Sequence, residues 1–526
     1  MPRQRRPQDL AGSDREEAEV IAFLSDPASY PGRPGQVDIV ETHAARIFLA
    51  GRQALKIKKR VTLPFLDFST LPKRRAALER ELELNRDHAP EIYGGVSAIS
   101  RGPDGRLTFG EGTVVDYALV MNRFEQENLL ARIAAEGPLQ PKIARELADM
   151  VARYHRTVPL AGGTSGGAVM LDTVGQLAAS LTDAAPPSLS ALMTTFAERS
   201  LTELARIAPL LEARGEAGHV RRCHGDLHLG NIVLLEGRVV PFDALEFDER
   251  LASIDVLYDL AFLLMDLDVR GDRRAANTVL NAYVSAEPTG SEIEGLATLP
   301  LFLATRAAVR ALVSLESALQ KPEGEDEADT ARAARYVTAA NAYLAPGQPM
   351  LLAVGGLSGT GKSTLAAALA PRIGPAPGAL VLRTDVERKR MFEVPETERL
   401  AVEHYGEQAS DDVYAVLYAK TERALAAGHA VIFDGVSAKP AEREKISAIA
   451  AKLGVPFTGL WLDAPLEIQI TRVEARKGDA SDSNEAVVRA QAERDLGPIT
   501  WTRIDAGQSP EHTFQQALAL LGLPQP

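Results

Sequence analysis

The stretch CHGDLHLGNIV, Cys223–Val233, sets two histidines, an aspartate and an asparagine close together and follows them at once with an apolar run. Polar groups placed against a buried strand cost free energy unless a site uses them. The spacing is His224-Gly225-Asp226, then four residues, then Asn231. An aspartate on such a loop can take the proton of an acceptor hydroxyl, and the asparagine can reach a magnesium ion beside it. A further acid, Asp243, ends the strand-like VVPF and can bridge the metal to phosphate oxygens. Phosphoryl transfer from ATP needs this set: positioning, charge neutralisation and little covalent chemistry.

Outward from this loop, the 526 residues are too many for one hydrophobic core and imply two or three domains. Apolar and charged shares of 45% and 25% are those of an ordinary folded chain. A net charge of −13 argues against non-specific binding to nucleic acid or an anionic membrane. Cys223 is the only cysteine, which excludes an intramolecular disulfide and fits a reducing, cytoplasmic compartment. The start, MPRQRRPQDLAGSDREE, is basic with no apolar core behind it, unlike a signal peptide. No uninterrupted apolar run approaches the roughly 18 residues of a membrane helix.

Residues 1–35 read as a loose arm with one short helix. From Val37 the runs VDIVET, ARIFLAG, QALKIKK, EIYGGVSAIS and GTVVDYALVMNRF predict a five-stranded sheet. Between them, STLPKRRAALERELELNRDH predicts one helix. Helices dominate from Asn128 to Ala217, with AGGTSGGA as a connection, and again to Leu344. APGQPM marks a linker, after which apolar strands alternate with helices as in a parallel α/β sheet. The expected divisions are 1–35, 36–125, 126–345 and 346–526.

HGDLHLGN matches the H-G-D-x-H-x-x-N catalytic loop, and here the chain resembles the protein-kinase-like fold in its aminoglycoside phosphotransferase branch. The resemblance implies a bilobal fold over about 35–345, with Asp226 as catalytic base, Asn231 and Asp243 as magnesium ligands, and His224 ordering the loop. It implies further that Asp259 in IDVLYDLAFLL braces the loop. The family's phosphate-contacting lysine falls in ALKIKK, where Lys56 and Lys58 share one strand face; the A-x-K pattern favours Lys56. Its glutamate partner is expected at Glu81, the acid whose helical neighbours are mainly apolar or small, rather than Glu79 or Glu83. Met121 and Asn122 stand where a hinge presents backbone groups to adenine. Two departures stand out: no G-x-G-x-x-G loop is present, and Ala244 follows Asp243 where glycine is the pattern.

LLAVGGLSGTGKSTLAAALA supplies a strand, a glycine-rich turn and a helix. Gly356, four residues, then Gly361-Lys362-Ser363 complete a P-loop. Backbone N–H groups of Gly356, Ser358, Gly359, Thr360, Gly361, Lys362, Ser363 and Thr364 can curl around phosphates at the helix N-terminus. Lys362 adds charge near the β- and γ-phosphates, and the Ser363 hydroxyl coordinates magnesium. Asp385 and Asp434 end strands at the ligand crevice, where Asp434 can hold a magnesium-bound water; resemblance to small-molecule P-loop kinases implies that Asp385 meets the acceptor hydroxyl. Arg472 and Arg476 lie one helical turn apart before a polar lid and can neutralise charge on the transferred group. Arg443 reads as a surface helix charge, with an acceptor contact as the alternative; Arg388 and Lys389 read equally as acceptor contacts or solvated side chains. Trp461 and Trp501 read as packing residues.

This half resembles the gluconate-kinase and zeta-toxin-like group of P-loop kinases, over about 348–526. The expectation is a multidomain α/β and α+β chain, an ATP- and Mg2+-dependent bifunctional kinase acting on a small-molecule hydroxyl acceptor, with no nucleic-acid or membrane partner. Two alternatives remain: a catalytic P-loop half with a nucleotide-sensing kinase-like half, or a non-catalytic ATP-binding switch.

Overall fold

A computed structural model describes residues 7–42, 44–63, 66–163, 165–287, 290–322, 326–345, 347–475 and 480–525. Two compact units emerge: Met1–Pro138 with Arg153–Thr164 and Gly218–Asp259, and Leu139–Ala152 with Ser165–Ala217 and Leu260–Pro526.

The first unit is built on an antiparallel sheet of six strands rather than five. Its order is Val37–Glu41, Ala45–Ala50, Gln53–Lys58, Thr113–Asn122, Tyr93–Arg101 and Leu107–Phe109. The extra strand, Leu107–Phe109, has three residues, too few for alternation to announce it. The alternating pleat sends Leu55 and Ile57 to one face and Lys56 and Lys58 to the other. On the first face the short helix expected in the N-terminal arm runs over 19 residues, Pro7–Ser25, and its Val20 and Leu24 pack with Phe48, Leu55 and Ile57. Its apolar residues are concentrated in VIAFL, Val20–Leu24, and the sheet supplies the surface that stabilises it. On the opposite face, Leu78 of helix Leu71–Arg86 packs with Ile92, Tyr93 and Leu119.

In the same unit, strand Ile232–Leu235 pairs antiparallel with Arg238–Pro241 across Glu236 and Gly237. Both turn residues have positive φ, +49° and +79°, as a two-residue hairpin turn requires.

The second unit carries helices Gly166–Ala184, Ser190–Glu216, Arg273–Ala286, Leu299–Leu319 and Glu327–Tyr343. The latter half of AGGTSGGA is not a connection: Gly166 begins a helix whose first turn is capped by Ser165, which accepts from Ala168 N–H. The run Glu292–Leu319 is long and apolar enough to cross a membrane by composition, but 67% of its most apolar window is buried inside the fold. After it comes a parallel five-stranded sheet in the order Leu380–Arg383, Val431–Asp434, Leu351–Gly355, Phe457–Asp463, Thr502–Asp505. Leu352, Val354, Ile432, Leu460 and Ile504 form its core with Leu365, Leu369 and Leu518 from the covering helices. Trp501 packs where Gly355 and Gly459 have no side chain; a Cβ on Gly459 would lie 2.4 Å from its ring.

Candidate active sites

The hairpin register builds the first site. Ile232 pairs with Pro241, and Phe242 N–H donates to Asn231 O at 2.9 Å, so Asn231 and Asp243 flank the same end of the hairpin. Asn231 Nδ2 donates to Asp226 Oδ2 at 2.9 Å and to Asp226 O at 3.0 Å, fixing the carboxylate of the expected base. The Asp226 side chain keeps 40% exposure, open to an incoming hydroxyl. His228 Nε2 lies 3.6 Å from that carboxylate, while its Nδ1 accepts from Gly230 N–H. Asp259, fully buried, accepts from the backbone N–H groups of His224 and Gly225 and meets His155 Nε2 at 3.1 Å. Burial pushes the His224 imidazole below its usual range, and its Nε2 contacts Phe242 O at 3.0 Å.

Both strand lysines converge on Glu81, which is 0% exposed. Lys56 donates to its Oε1 at 2.8 Å and Lys58 to its Oε2 at 2.7 Å. Lys56 also reaches Asp243 at 2.6 Å, whereas Lys58 pairs with Glu246 at 2.5 Å. The structure therefore gives the two lysines different partners, and Lys56 is the one beside the expected metal ligand. Burial raises the Asp243 carboxyl, but the ammoniums of Lys56 and Lys58 outweigh it and hold the group at about 2. Burial pushes Glu246 up, against the pull of Lys58.

Asp243 has φ +61°, and the absence of a following glycine is compensated from outside the turn. Asp243 N–H donates to Tyr93 Oη and Ala244 N–H to Asn85 Oδ1, each at 2.9 Å. Asn85 stands one turn after Glu81 on the same helix, so one helix face holds both the lysines and the aspartate turn. Asn85, Tyr93 and Glu246 were not singled out from sequence; the i, i+4 spacing of Glu81 and Asn85 was the available signal. Met121 and Asn122 end the strand Thr113–Asn122 opposite Ala54 and Gln53.

The second site surrounds the P-loop. Gly356, Gly359 and Gly361 have φ of +137°, +86° and +93°. A Cβ would lie 2.6 Å from Leu462 O at Gly356 and 2.5 Å from Gln469 O at Gly359, so only glycine fits. Lys362 and Ser363 begin the helix Lys362–Leu369, so the N–H groups of its first turn, Thr364 included, have no carbonyl of their own helix to bond. Lys362 Nζ donates to Leu357 O, Thr360 Oγ1 to Leu357 O, and Ser363 Oγ to Asp434 Oδ2 at 2.6 Å. Burial raises Asp434, with Arg383 and Lys362 pulling it back.

Next to the P-loop opens a cavity of about 810 Å³, lined among others by Arg383, Asp385, Arg388, Arg399, Tyr405 and Arg494. Asp385 begins the helix Thr384–Met391 at the end of its strand. Arg472 is not in the lining: its guanidinium donates to Ala506 O and Gln508 O at 2.7 and 2.6 Å, because the loop after the last strand presents two carbonyls to its fork. Arg476 lies outside the described residues. Arg383, Arg399 and Arg494 are the cavity arginines that sequence spacing missed.

Arg443 is buried, not a surface charge, and binds the carbonyls of Ser437, Ala438, Leu496 and Pro498. Lys389 is likewise buried rather than solvated, donating to Glu396 O, Glu398 O and Asp482. Arg388 donates to His404 O and lies over the Tyr405 ring. Asp482 also accepts from Leu400 N–H and Tyr405 Oη, while Gln491 Oε1 accepts from Ser358 N–H at 2.9 Å. The segment after residue 480 is thereby tied to both the P-loop and the cavity wall.

Both donor sets suit a hard divalent cation. No described residue donates to Asn231 Oδ1 or Asp243 Oδ2, and the Ser363 hydroxyl and Asp434 carboxylate form a pair of hard oxygens at hydrogen-bond distance.

Residues 69–296 match the phosphotransferase enzyme family, and residues 351–495 match an AAA domain family. The chain thus joins a kinase-like domain to a P-loop kinase domain. An uncharacterized protein of Mycobacterium tuberculosis is 29% identical over 498 residues, covering 91% of this chain and 94% of its own. Among solved structures, a gluconokinase from Sinorhizobium meliloti is 22% identical over 33% of this chain and 92% of its own, with a TM-score of 0.24. An ethanolamine kinase from Plasmodium vivax is 10% identical over 65% of this chain and 95% of its own, with a TM-score of 0.39.

Proposed function

We propose that the chain is a bifunctional phosphotransferase, with each half moving the γ-phosphoryl group of Mg-ATP to a hydroxyl of a small molecule. Its kinase-family domains support phosphotransfer in general. The observation that carries the finer reading is the presence of two separately built sites, Asp226 with Asn231 and Asp243, and Lys362 with Ser363 and Asp434.

In the first half, Asn231 orients Asp226 so that its free oxygen accepts the proton of the acceptor hydroxyl. That hydroxyl oxygen bonds to the γ-phosphorus as the bond to ADP breaks, and ADP leaves. Lys56, held by Glu81, supplies positive charge to the phosphates. Asn231 and Asp243 would hold magnesium, which supplies charge neutralisation at the transferring group. In the second half, the P-loop amides and Lys362 orient the phosphates, Ser363 and Asp434 would hold the metal, and Asp385 faces the cavity where an acceptor fits.

The test is a mass-spectrometric screen for phosphorylated products from a metabolite pool with Mg-ATP, using wild type, Asp226→Ala and Lys362→Ala. The expected result is that each variant loses a different set of products. Retention of every product by Asp226→Ala would make the first half a nucleotide sensor. A wild-type chain that forms no product at all would be a non-catalytic switch.

A further inference from the structure

The strand Leu380–Arg383 is an edge of the parallel sheet, bonded on one side to Val431–Asp434. An edge strand leaves every second N–H and C=O without a partner. Here one outward N–H and one outward C=O are filled by a side chain from before the linker. Asn281, on helix Arg273–Ala286, accepts from Val381 N–H at 2.7 Å and donates to Ala379 O at 3.1 Å. A carboxamide offers one acceptor and one donor in a plane, as a peptide group of a neighbouring strand does. Asn277, one turn earlier, donates to the same Ala379 O at 3.0 Å. The approach is close: a Cβ on Gly378, at φ +119°, would lie 2.9 Å from Asn277 Nδ2 and 2.3 Å from Ala370 O.

What this strand carries makes the contact matter. It ends at Arg383 and runs straight into the helix Thr384–Met391, so Arg383, Asp385 and Arg388 all enter the cavity from this one edge. Among the described residues no sixth strand backs it. At the other end of that helix Arg390 donates to Ser285 O, again on the segment of Asn281. Arg423, from the helix Glu407–Ala426, adds a bond to Gly290 O at 2.7 Å. Between these clamps, Glu387 is paired with Lys420 at 2.6 Å inside the fold.

We infer that Asn281, with Arg390, is a positioning residue of the P-loop site, holding from outside the strand and helix that aim Asp385 and Arg388 at the acceptor. The inference rests on the reading of the P-loop half as a phosphotransferase. It means that the second site is not contained in the residues after the linker: a helix encoded before it completes the sheet edge on which the acceptor side is built.

The test uses the full chain with Mg-ATP and water as the acceptor, reading the Lys362-dependent release of ADP. Affinity for a fluorescent ATP analogue and amide exchange of residues 379–391 are followed alongside. For Asn281→Ala we expect ADP release to fall at least about tenfold, as displaced catalytic groups do, with nucleotide affinity within about twofold and faster exchange at Val381. Asn281→Asp keeps the acceptor for Val381 N–H and loses the donor, so its rate should fall between. Wild-type turnover by Asn281→Ala with a freed Val381 amide would overturn the inference, as would nucleotide affinity dropping in step with the rate. If Asn281→Ala does not fold, Arg390→Ala carries the same expectation, and an unchanged rate there overturns it. A wild-type chain without Lys362-dependent ADP release would instead remove the phosphotransferase reading of this half, and the inference with it.

Discussion

Replacing Glu81 by glutamine tests the charge network of the first site at its centre. The carboxylate is 0% exposed and accepts two ammonium groups, at 2.8 and 2.7 Å. Glutamine keeps one accepting oxygen and puts an NH2 group against the other lysine, where two donors face each other. Loss of one charge-assisted bond is worth about 1.5–3 kcal/mol. The roughly 3–5 kcal/mol for breaking a buried pair is an upper limit, because each lysine retains a second carboxylate, Asp243 or Glu246. The expected destabilisation is therefore about 2–4 kcal/mol, or roughly 4–16 °C in the melting transition of a unit this size. Glu79→Gln is the control: Glu79 and its partner Arg75 have side chains 50% and 53% exposed, and the change should stay within about 0.5 kcal/mol. Thermal melts followed by circular dichroism measure both. Product formation that depends on Asp226 should fall in Glu81→Gln alone, since Lys56 then leans on Asp243 instead of being held between two carboxylates. Matching melts and activities for the two variants would refute the network.

Lys362→Ala should lower turnover by the P-loop half on the order of a hundredfold or more, read as loss of its product set, while the Asp226-dependent set persists. Gly359→Ala forces a Cβ to within 2.5 Å of Gln469 O at φ +86°, and nucleotide binding measured by a fluorescent analogue should be lost with about 1–3 kcal/mol of stability. Asp243 is held at about 2 against an ordinary 3.8, so its folded state favours the carboxylate. Its contribution to stability is full above the ordinary value and lost as pH falls through 3.8 toward 2, so acid titration should bring wild type and Asp243→Asn together across that window.

Contiguous chemistry was readable from sequence. The loop His224–Asn231 and the P-loop Gly356–Ser363 each hold their functional groups within eight residues, so spacing alone specifies the local geometry. The inward face of Glu81 and the parallel architecture after the linker follow from helical and strand periodicity, which are local properties of the chain. Periodicity failed where an element is short: three residues are too few to alternate at Leu107–Phe109, and the full length of the expected N-terminal helix, Pro7–Ser25, depends on a sheet surface that its own residues do not announce.

Partners far apart in the chain belong to the tertiary structure. Arg472 had the right spacing for a lid and instead binds the carbonyls of Ala506 and Gln508, whereas Arg399 and Arg494 reach the cavity from positions no motif marks. Lys56 and Lys58 share a strand face, and only the fold gives one Asp243 and the other Glu246, nearly 190 residues away. Asn281 closes a sheet edge 100 residues downstream. The sequence by itself determined which groups could handle phosphate, because backbone amides and neighbouring side chains act over one turn. Which charges neutralise one another, and which edge is covered, depended on burial and approach between distant segments, and these arise only when the chain has folded.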